Sequence, residues 1–224
     1  MSLLKWDEIG ERLYESGVSK GVIYQQSADG SYPTGVSWNG LTEVTENSTG
    51  GEPEDIFADN IKYASMMSVE QLGLTIGAYM YPDEFGECDG SVEVEDGVYI
   101  NQQPRKPFGL VYRTEIGSDT ADMSAGYKLH LIYGCKAAPS EKGYQSINDS
   151  PEAMGLSWEV NTTPVPVTGH KPTSSLVIDS TKVAAEDLAT LEDQLFGKDP
   201  TTVGGTDGIT ANLPLPDAVI AMFA

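Results

Sequence analysis

The chain has 224 residues, 39% of them hydrophobic and 21% charged, and its 13 bases and 34 acids give a formal net charge of −21. This composition is typical of a folded chain, and the length suits one large β domain or two small ones. Surfaces that bind nucleic-acid backbones or anionic membranes are normally basic, so the charge disfavours both kinds of binding. It permits a role beside DNA in which repulsion lets DNA slide without sticking, and solubility alone would also explain it.

Three local features of the sequence narrow the class of protein further. No run of 18 apolar residues is present, which excludes a membrane-spanning helix. The N-terminal sequence MSLLKWDEIGERLYE contains acids and lacks the apolar centre of a secretory signal. The two cysteines, Cys88 and Cys135, form no CxxC motif, so neither a disulfide framework nor a zinc site is predicted and a reducing compartment is expected.

The first half of the chain is predicted to hold an arm, several strands and two acidic loops. Leu3, Trp6 and Ile9 have helix-like spacing, but Gly10 weakens a helix, so residues 3–16 are expected to form a short amphipathic or partly irregular arm. Asn39-Gly40 is the strongest hairpin signal, because both turn positions favour positive φ. The predicted strands are 21–26, 61–67 and 71–81; the predicted acidic surface loops are 46–59 and 82–96, with one helical turn at 82–87 and a short hairpin at 90–101.

The centre of the predicted sheet lies in residues 127–164. Two runs in it alternate between apolar and polar side chains, and a strand has a side-chain period of two, so one face of each run is expected to be buried. One face of the first run carries Leu129, Leu131, Tyr133 and Cys135, and the other carries Lys128, His130 and Lys136. Leu156, Trp158 and Val160 form the apolar face of the second run. The connection at 138–153 is predicted to be a turn-rich loop with Pro139, Asn148, Asp149 and Pro151.

Further strands are predicted at 107–116 and 174–179, and one clear helix at 184–196. Ala184, Leu188, Leu191 and Leu195 form an apolar stripe that must dock on a sheet, and Gly197 ends the helix. The Gly-, Thr- and Pro-rich residues 198–216 predict a flexible tail. The apolar ending AVIAMFA is expected to dock on the body or on a neighbouring subunit. We therefore predict one β domain over 1–197 and a tail over 198–224.

No residue pattern predicts catalysis, a nucleotide or a cofactor. His130 lies on the polar face of a predicted strand and His170 in a turn, and neither belongs to a GxSxG, HExxH or Cys/His motif, so structural or solvated roles are expected. The chain has no GxxxxGK[ST] motif and no GxGxxG motif after a strand. We predict a protein that is not an enzyme, with no catalytic, cofactor-binding or metal-binding residues.

The many carboxylates leave two alternative functions open, calcium binding and glycoside hydrolysis. Asp83, Glu84, Glu87 and Asp89 could bind calcium on a flexible loop, but they lack EF-hand spacing, and a solvated acidic loop is the preferred interpretation. Glycoside hydrolysis needs two carboxylates at a fixed separation in a cleft, and among 34 acids close pairs are expected by chance.

Seven runs in collinear order carry a resemblance to the major tail proteins of long-tailed bacteriophages. They are spread over about residues 4 to 197, and the set is more specific than any one motif. The runs are WDEIGERLYESGVSKGVIY, VSWNGLTEVTE, ADNIKY, YPDEFGECDGS, YKLHLIYGCKAAPSEKGY, NDSPEAMGLSWEV and LVIDSTKV.

The resemblance implies a tail tube protein with two packed β-sheets, as a sandwich or small barrel, and one flanking α-helix. In that family six subunits form a ring, and stacked rings form a tube whose β-lined lumen conducts DNA during ejection without binding it specifically. The implied partners are further copies of the chain, the tape measure protein, the tail terminator and the tail tip proteins. The implied location is the virion tail, with the host cytoplasm during assembly. Only 27 residues follow Gly197, too few for the immunoglobulin-like domain of some relatives, so none is expected.

The N-terminal arm and the two acidic loops are our candidates for contacts between subunits or for the lumen. Deleting residues 84–95 is expected to abolish tube growth and leave a folded monomer. Two other classes of function remain, a carbohydrate- or calcium-binding β-sandwich and an acidic glycosidase. Within the class of tube subunits, the chain could instead be the tube protein of a contractile injection or secretion machine. The candidate residues are Glu52, Glu54, Asp55, Asp83, Glu84, Glu87, Glu93 and Glu95.

Overall fold

The computed structural model describes residues 3–146, 149, 153–202 and 205–224, and this part of the chain is mainly β. It contains strands β1 (Leu13–Gln25), β2 (Gly35–Ser37), β3 (Leu41–Thr49), β4 (Pro53–Ala58), β5 (Ile61–Met67), β6 (Gln71–Ala78), β7 (Val92–Glu95), β8 (Val98–Ile100), β9 (Phe108–Ser118), β10 (Asp122–Ala137), β11 (Leu156–Thr162) and β12 (Ser175–Asp179). The helices are α1 (Asp83–Asp89), α2 (Ala185–Phe196) and α3 (Pro216–Met222). The predicted fold class, a mainly β domain with a flanking helix, is confirmed.

One antiparallel sheet of eight strands dominates the fold, in the order β2-β1-β9-β10-β11-β6-β3, with β12 beside β10. The long strand β10 pairs with two strands on one side: residues 128–132 pair with β12 and residues 135–137 pair with β11. The sheet bends until its ends meet, and the hydroxyl of Tyr112 on β9 donates a 2.5 Å hydrogen bond to Glu46 on β3. The two halves of the sheet therefore face each other across a core.

The inner core contains the largest aromatic side chains. Phe85 of α1 closes one end of this core, with its ring centroid 5.5 Å from Phe108 and 5.1 Å from Trp158 in edge-to-face geometry. Such pairs add to the free energy gained by burying the rings. The strands supply further buried residues: Ile23, Leu74, Ile76, Leu110, Ile132 and Val160.

The second core lies on the outer face of the sheet, under α2 and α3. The predicted helix and its docking are confirmed, since Leu188, Leu191 and Leu195 pack on strand residues that include Val111 and Leu131. Glu186 and Asp187 lie in the first turn of α2, where the helix dipole favours acids.

A single glycine redirects the side chains of β10. Gly134 has φ of 62° and lies at a break in the pairing with β9, so the alternation shifts there. Leu129, Leu131 and Tyr133 belong to the outer core as a set, whereas Cys135 belongs to the inner core. The prediction that Cys135 shares a face with the other three residues is therefore wrong.

Gly134→Ala is expected to lower the free energy of unfolding by about 3 kcal/mol, because the backbone is left-handed and the new Cβ would lie 2.2 Å from the carbonyl oxygen of Thr163. Urea denaturation measures the change. Gly143→Ala is the matched control, since a Cβ there meets no atom within 4 Å. Equal stability of the two variants would contradict this role of Gly134.

The turn at Asn39-Gly40 is present, with Gly40 at φ of 84°, but it does not form a hairpin. The strand before it, β2, pairs with β1, and the strand after it, β3, pairs with β6. The turn therefore carries the chain from one end of the bent sheet to the other. The predicted hairpin is wrong because turn chemistry is local and the choice of partner strand is not.

The C-terminal residues pack on the body instead of forming a flexible tail. Leu213 and Val219 are buried in the outer core, and the amide of Asn212 donates a 2.7 Å hydrogen bond to the carbonyl of Gln194 on α2. The apolar ending was expected to dock either on the body or on a neighbouring subunit, and in the structure it docks on the body. The turn residues Asn148 and Pro151 lie outside the described residues.

Candidate assembly surface

The predicted loop at 46–59 is instead mostly strand, since residues 46–49 end β3 and residues 53–58 form β4. β3 and β6 pair antiparallel, and beyond residues 50–52 and 68–70 the same two chain segments pair again as β4 and β5. Asp59 and Asn60 form the tip, with φ of 50° and 63°. Asp and Asn tolerate this left-handed conformation better than other side-chain-bearing residues, and two positive φ values suit a tight hairpin. We call residues 50–70 the arm.

The arm carries large apolar side chains that no described residue covers. Phe57 is 67% exposed and Tyr63 is 75% exposed. A two-stranded hairpin is marginally stable alone, and a contiguous exposed apolar surface usually marks an interaction site. The other exposed members are Ile56, Ile61, Met66, Met67 and Val69.

The acids of the arm differ in how freely they could contact a partner. Asp55 is bound within the arm, 2.7 Å from the Lys62 ammonium and 2.9 Å from the Ser65 hydroxyl, and the hydrogen bond from Lys62 lowers the pKa of its carboxyl. Glu52 and Glu54 make no ion pair with a described residue and are exposed. Asp55 therefore braces the hairpin, while Glu52 and Glu54 surround its apolar residues with negative charge.

The N-terminal arm is irregular and exposed. Of the two predicted forms, amphipathic or partly irregular, the structure has the irregular one. Leu3 to Arg12 forms no helix, whereas Leu13 and Tyr14 begin β1. Trp6 is 76% exposed. The segment is held by a 3.0 Å hydrogen bond from the Gly10 amide to Asp119 and by two bonds from Arg12 to the Asp7 carbonyl. It presents a second apolar surface.

The second acidic segment folds as α1 and the hairpin β7–β8. Glu87 accepts hydrogen bonds from Lys106 at 2.8 Å and from Gln25 at 2.9 Å, and the Lys106 bond lowers the pKa of its carboxyl. Glu93 accepts a bond from the Gly97 amide at 2.7 Å and so closes its own hairpin. Asp83, Glu84 and Glu95 are the remaining candidates, and all three are exposed. Their role between subunits stays a prediction.

The proposed deletion of residues 84–95 would not leave a folded monomer. Phe85 and Cys88 lie inside that range and both are fully buried in the inner core, where burial raises the pKa of the Cys88 thiol to about 12. Removing them opens the end of the core that Phe85 closes. The expectation is wrong because the acids of this segment conceal a buried helical face.

His130 lies at the junction of four strands, between Glu15 on β1 and Glu46 on β3, and stacks on Tyr112 with ring centroids 4.6 Å apart. The Thr114 hydroxyl donates its proton to Glu15 at 2.5 Å, so its 3.0 Å contact with Nε2 is donated by the imidazole. We infer that Nδ1 carries no proton; it is buried and 3.8 Å from the nearest Glu46 oxygen. The carboxylate oxygen nearest to the ring is Oε1 of Glu15, 3.4 Å from Nε2.

Stability is expected to fall as pH drops below about 6.5, the ordinary pKa of histidine. Burial lowers the pKa of His130, against the opposing effect of Glu46 and Glu15, so the unfolded chain takes up this proton first. The slope is at most about 1.4 kcal/mol per pH unit and ends once the folded protein is also protonated. Thermal melts between pH 7.5 and 5.5 measure it.

The control variants separate His130 from other titrating groups. His130→Phe keeps a ring against Tyr112 and is expected to abolish the slope. His170→Gln, in an exposed turn, is expected to keep it. A slope that survives in His130→Phe would contradict the assignment. Protonation of Glu15 affects stability only at lower pH, because its hydrogen bond with Lys128 lowers the pKa of its carboxyl.

No family model fits the chain, and no curated protein matches its sequence. Within residues 3–146, 149, 153–202 and 205–224, no three His, Cys, Asp or Glu side chains are grouped so as to hold a metal ion. In the same part of the chain, every helix is too short or too polar to cross a membrane.

Sequence reasoning missed the apolar residues of the arm as functional candidates and selected its acids instead. Both faces of β4 and β5 are exposed, so the strands show no clean apolar–polar alternation. The available signal was Asp59-Asn60 between two segments with Phe57, Ile61 and Tyr63, which is the composition of a tight hairpin.

Proposed function

We propose that this protein is a structural subunit that assembles with copies of itself into rings, and that the rings stack into the tail tube of a bacteriophage. The arm is the observation that carries the proposal, because its large apolar side chains face solvent on a single copy of the chain. A surface of this kind is normally covered in the working form of a protein. The resemblance in sequence favours another copy of the same chain as the occupant.

The edges of the arm support association by strand pairing. Among the described residues, β4 and β5 pair only with each other, so each has an outer edge of unpaired backbone groups. Such edges are templates for pairing with another chain. An arm that reaches a neighbour in this way would join the sheets of two subunits.

The charge supports a conduit for DNA. At −21 per subunit, a ring of copies would present strong negative potential, and DNA would pass through without being held by its phosphates. The tape measure, terminator and tip proteins are the partners that this function requires, and the virion tail is the location.

Negative-stain electron microscopy of the purified chain, dilute and concentrated, tests the proposal, with light scattering alongside. Rings or stacked tubes with a central hole are expected. Tube subunits can wait for a nucleus, so a sample seeded with preformed tail tips is included. A chain that stays monomeric at high concentration and in the seeded sample would overturn the proposal.

A further inference from the structure

A cleft of about 800 Å³ lies between α1, the β7–β8 hairpin and the loop after β10, apart from the arm. This volume is in the range of sites that take small molecules. Three tyrosines line it, Tyr81, Tyr99 and Tyr144, together with the neutral polar residues Ser91, Gln102 and Ser140. Tyr99 is half-exposed and Tyr144 is 78% exposed, so their ring faces are open to a ligand.

The lining of the cleft carries two bases, Arg105 and Lys142, and two acids, Asp83 and Asp89, so its formal charges sum to zero. The buried carboxylate of Asp89 lies 2.6 Å from the Lys142 ammonium and 3.9 Å from the Arg105 guanidinium. Arg105 also donates a 3.0 Å hydrogen bond to the Ala137 carbonyl, and the Lys142 ammonium lies over the Tyr81 ring at 5.3 Å. Both bases are engaged by the protein itself, so among the described residues that line the cleft neither cation is free for an anionic ligand.

The polar groups that remain available are mostly neutral. The side-chain hydrogen bonds of the described cleft residues involve neither the Tyr81 hydroxyl nor the side-chain amide of Gln102. Gln102 has φ of 65°. Its loop is fixed by a 2.5 Å hydrogen bond from the Ser91 hydroxyl to the Asn101 side-chain oxygen and by a 3.1 Å bond from the Gln103 side-chain amide to the Asn101 carbonyl. The wall of the cleft is thus braced before any ligand arrives, which lowers the entropy cost of binding.

We propose that this cleft binds a neutral carbohydrate of two or three sugar units. A pyranose ring has an apolar C–H face, which packs on an exposed tyrosine, and a rim of hydroxyls that both donate and accept hydrogen bonds. Amide, hydroxyl and carboxylate groups beside open aromatic rings match both features. Asp83, at the start of α1, adds one carboxylate that accepts sugar hydroxyls and repels anionic ligands. The proposal does not depend on assembly into a tube.

A glycan array tests the class of ligand. It carries neutral hexose and N-acetylhexosamine oligosaccharides, with sialylated and uronic-acid glycans as charged comparators. Binding to at least one neutral oligosaccharide is expected, and calorimetry with that compound then gives its affinity. The absence of binding across the array, or binding confined to the charged glycans, would overturn the proposal.

Variants then test the place of binding. Tyr99→Ala and Tyr144→Ala are each expected to weaken the sugar about tenfold, because each removes a stacking ring from an exposed position where folding does not need it. Tyr99→Phe keeps the ring and is expected to retain most of the affinity. Tyr63→Ala, on the arm, is the control and should bind normally. Unchanged binding in both cleft variants would place the sugar elsewhere and overturn the assignment.

Discussion

Tyr63→Asp is expected to raise the protein concentration needed for ring and tube formation at least about a hundredfold and to leave the monomer folded. Tyr63 lies on the arm and is 75% exposed, so its replacement removes little packing within one copy. At an interface, the loss of a tyrosine anchor combined with an uncompensated carboxylate costs about 3 kcal/mol or more. Pelleting and electron microscopy across a concentration series measure the shift.

The control for this variant is Tyr144→Asp. It makes the same chemical change at a tyrosine that is 78% exposed and lies outside the arm. Both variants gain one negative charge, so a general effect of charge on assembly would appear equally in the two. If Tyr144→Asp blocks assembly as strongly as Tyr63→Asp, or if Tyr63→Asp assembles at the normal concentration, the arm is not the contact that we propose.

Raising the NaCl concentration from 10 to 500 mM is expected to increase the assembled fraction at least about tenfold at fixed protein concentration. Each copy carries −21, and association brings these charges together. The distance over which exposed charges act falls from about 30 Å at 0.01 M salt to about 3 Å at 1 M salt, so screening removes repulsion and leaves the apolar contacts. Light scattering during a salt titration measures the effect.

The double variant Glu52→Gln and Glu54→Gln sharpens this test. It removes two of the arm's exposed charges and keeps the size of the side chains, so assembly is expected at lower salt than in the unchanged protein. Assembly that weakens as salt rises would show that ion pairs between subunits dominate over repulsion, contrary to this expectation.

The sequence predicted well those elements that have one buried and one exposed face. The stripe of Leu188, Leu191 and Leu195 predicted both α2 and its docking on a sheet, because a helix of this length is stable only when packed. The strand predicted at 107–116 is likewise present as β9, and its alternate residues Phe108, Leu110 and Tyr112 line the inner core. In these cases the hydrophobic period is itself the consequence of the packing.

Prediction from the sequence failed where the structure departs from a simple hydrophobic period. β4 and β5 are exposed on both faces, so their Gly- and acid-rich surroundings suggested a loop. In α1, the acids around Phe85 hid a buried face only one turn wide. The sequence therefore drew attention to the acids of residues 46–59 and not to the exposed Phe57 and Tyr63.

The sequence alone determined the mainly β class, the strong negative charge, the flanking helix and most of the sheet-forming segments, because these follow from composition and from periods of two and about four residues. Tertiary structure decided which strands are neighbours, how Gly134 moves Cys135 to the inner core, and that β4 and β5 pair as an arm beyond β3 and β6. Pairing between distant strands and a shift caused by one left-handed residue depend on the whole chain, and no local window of sequence contains that information.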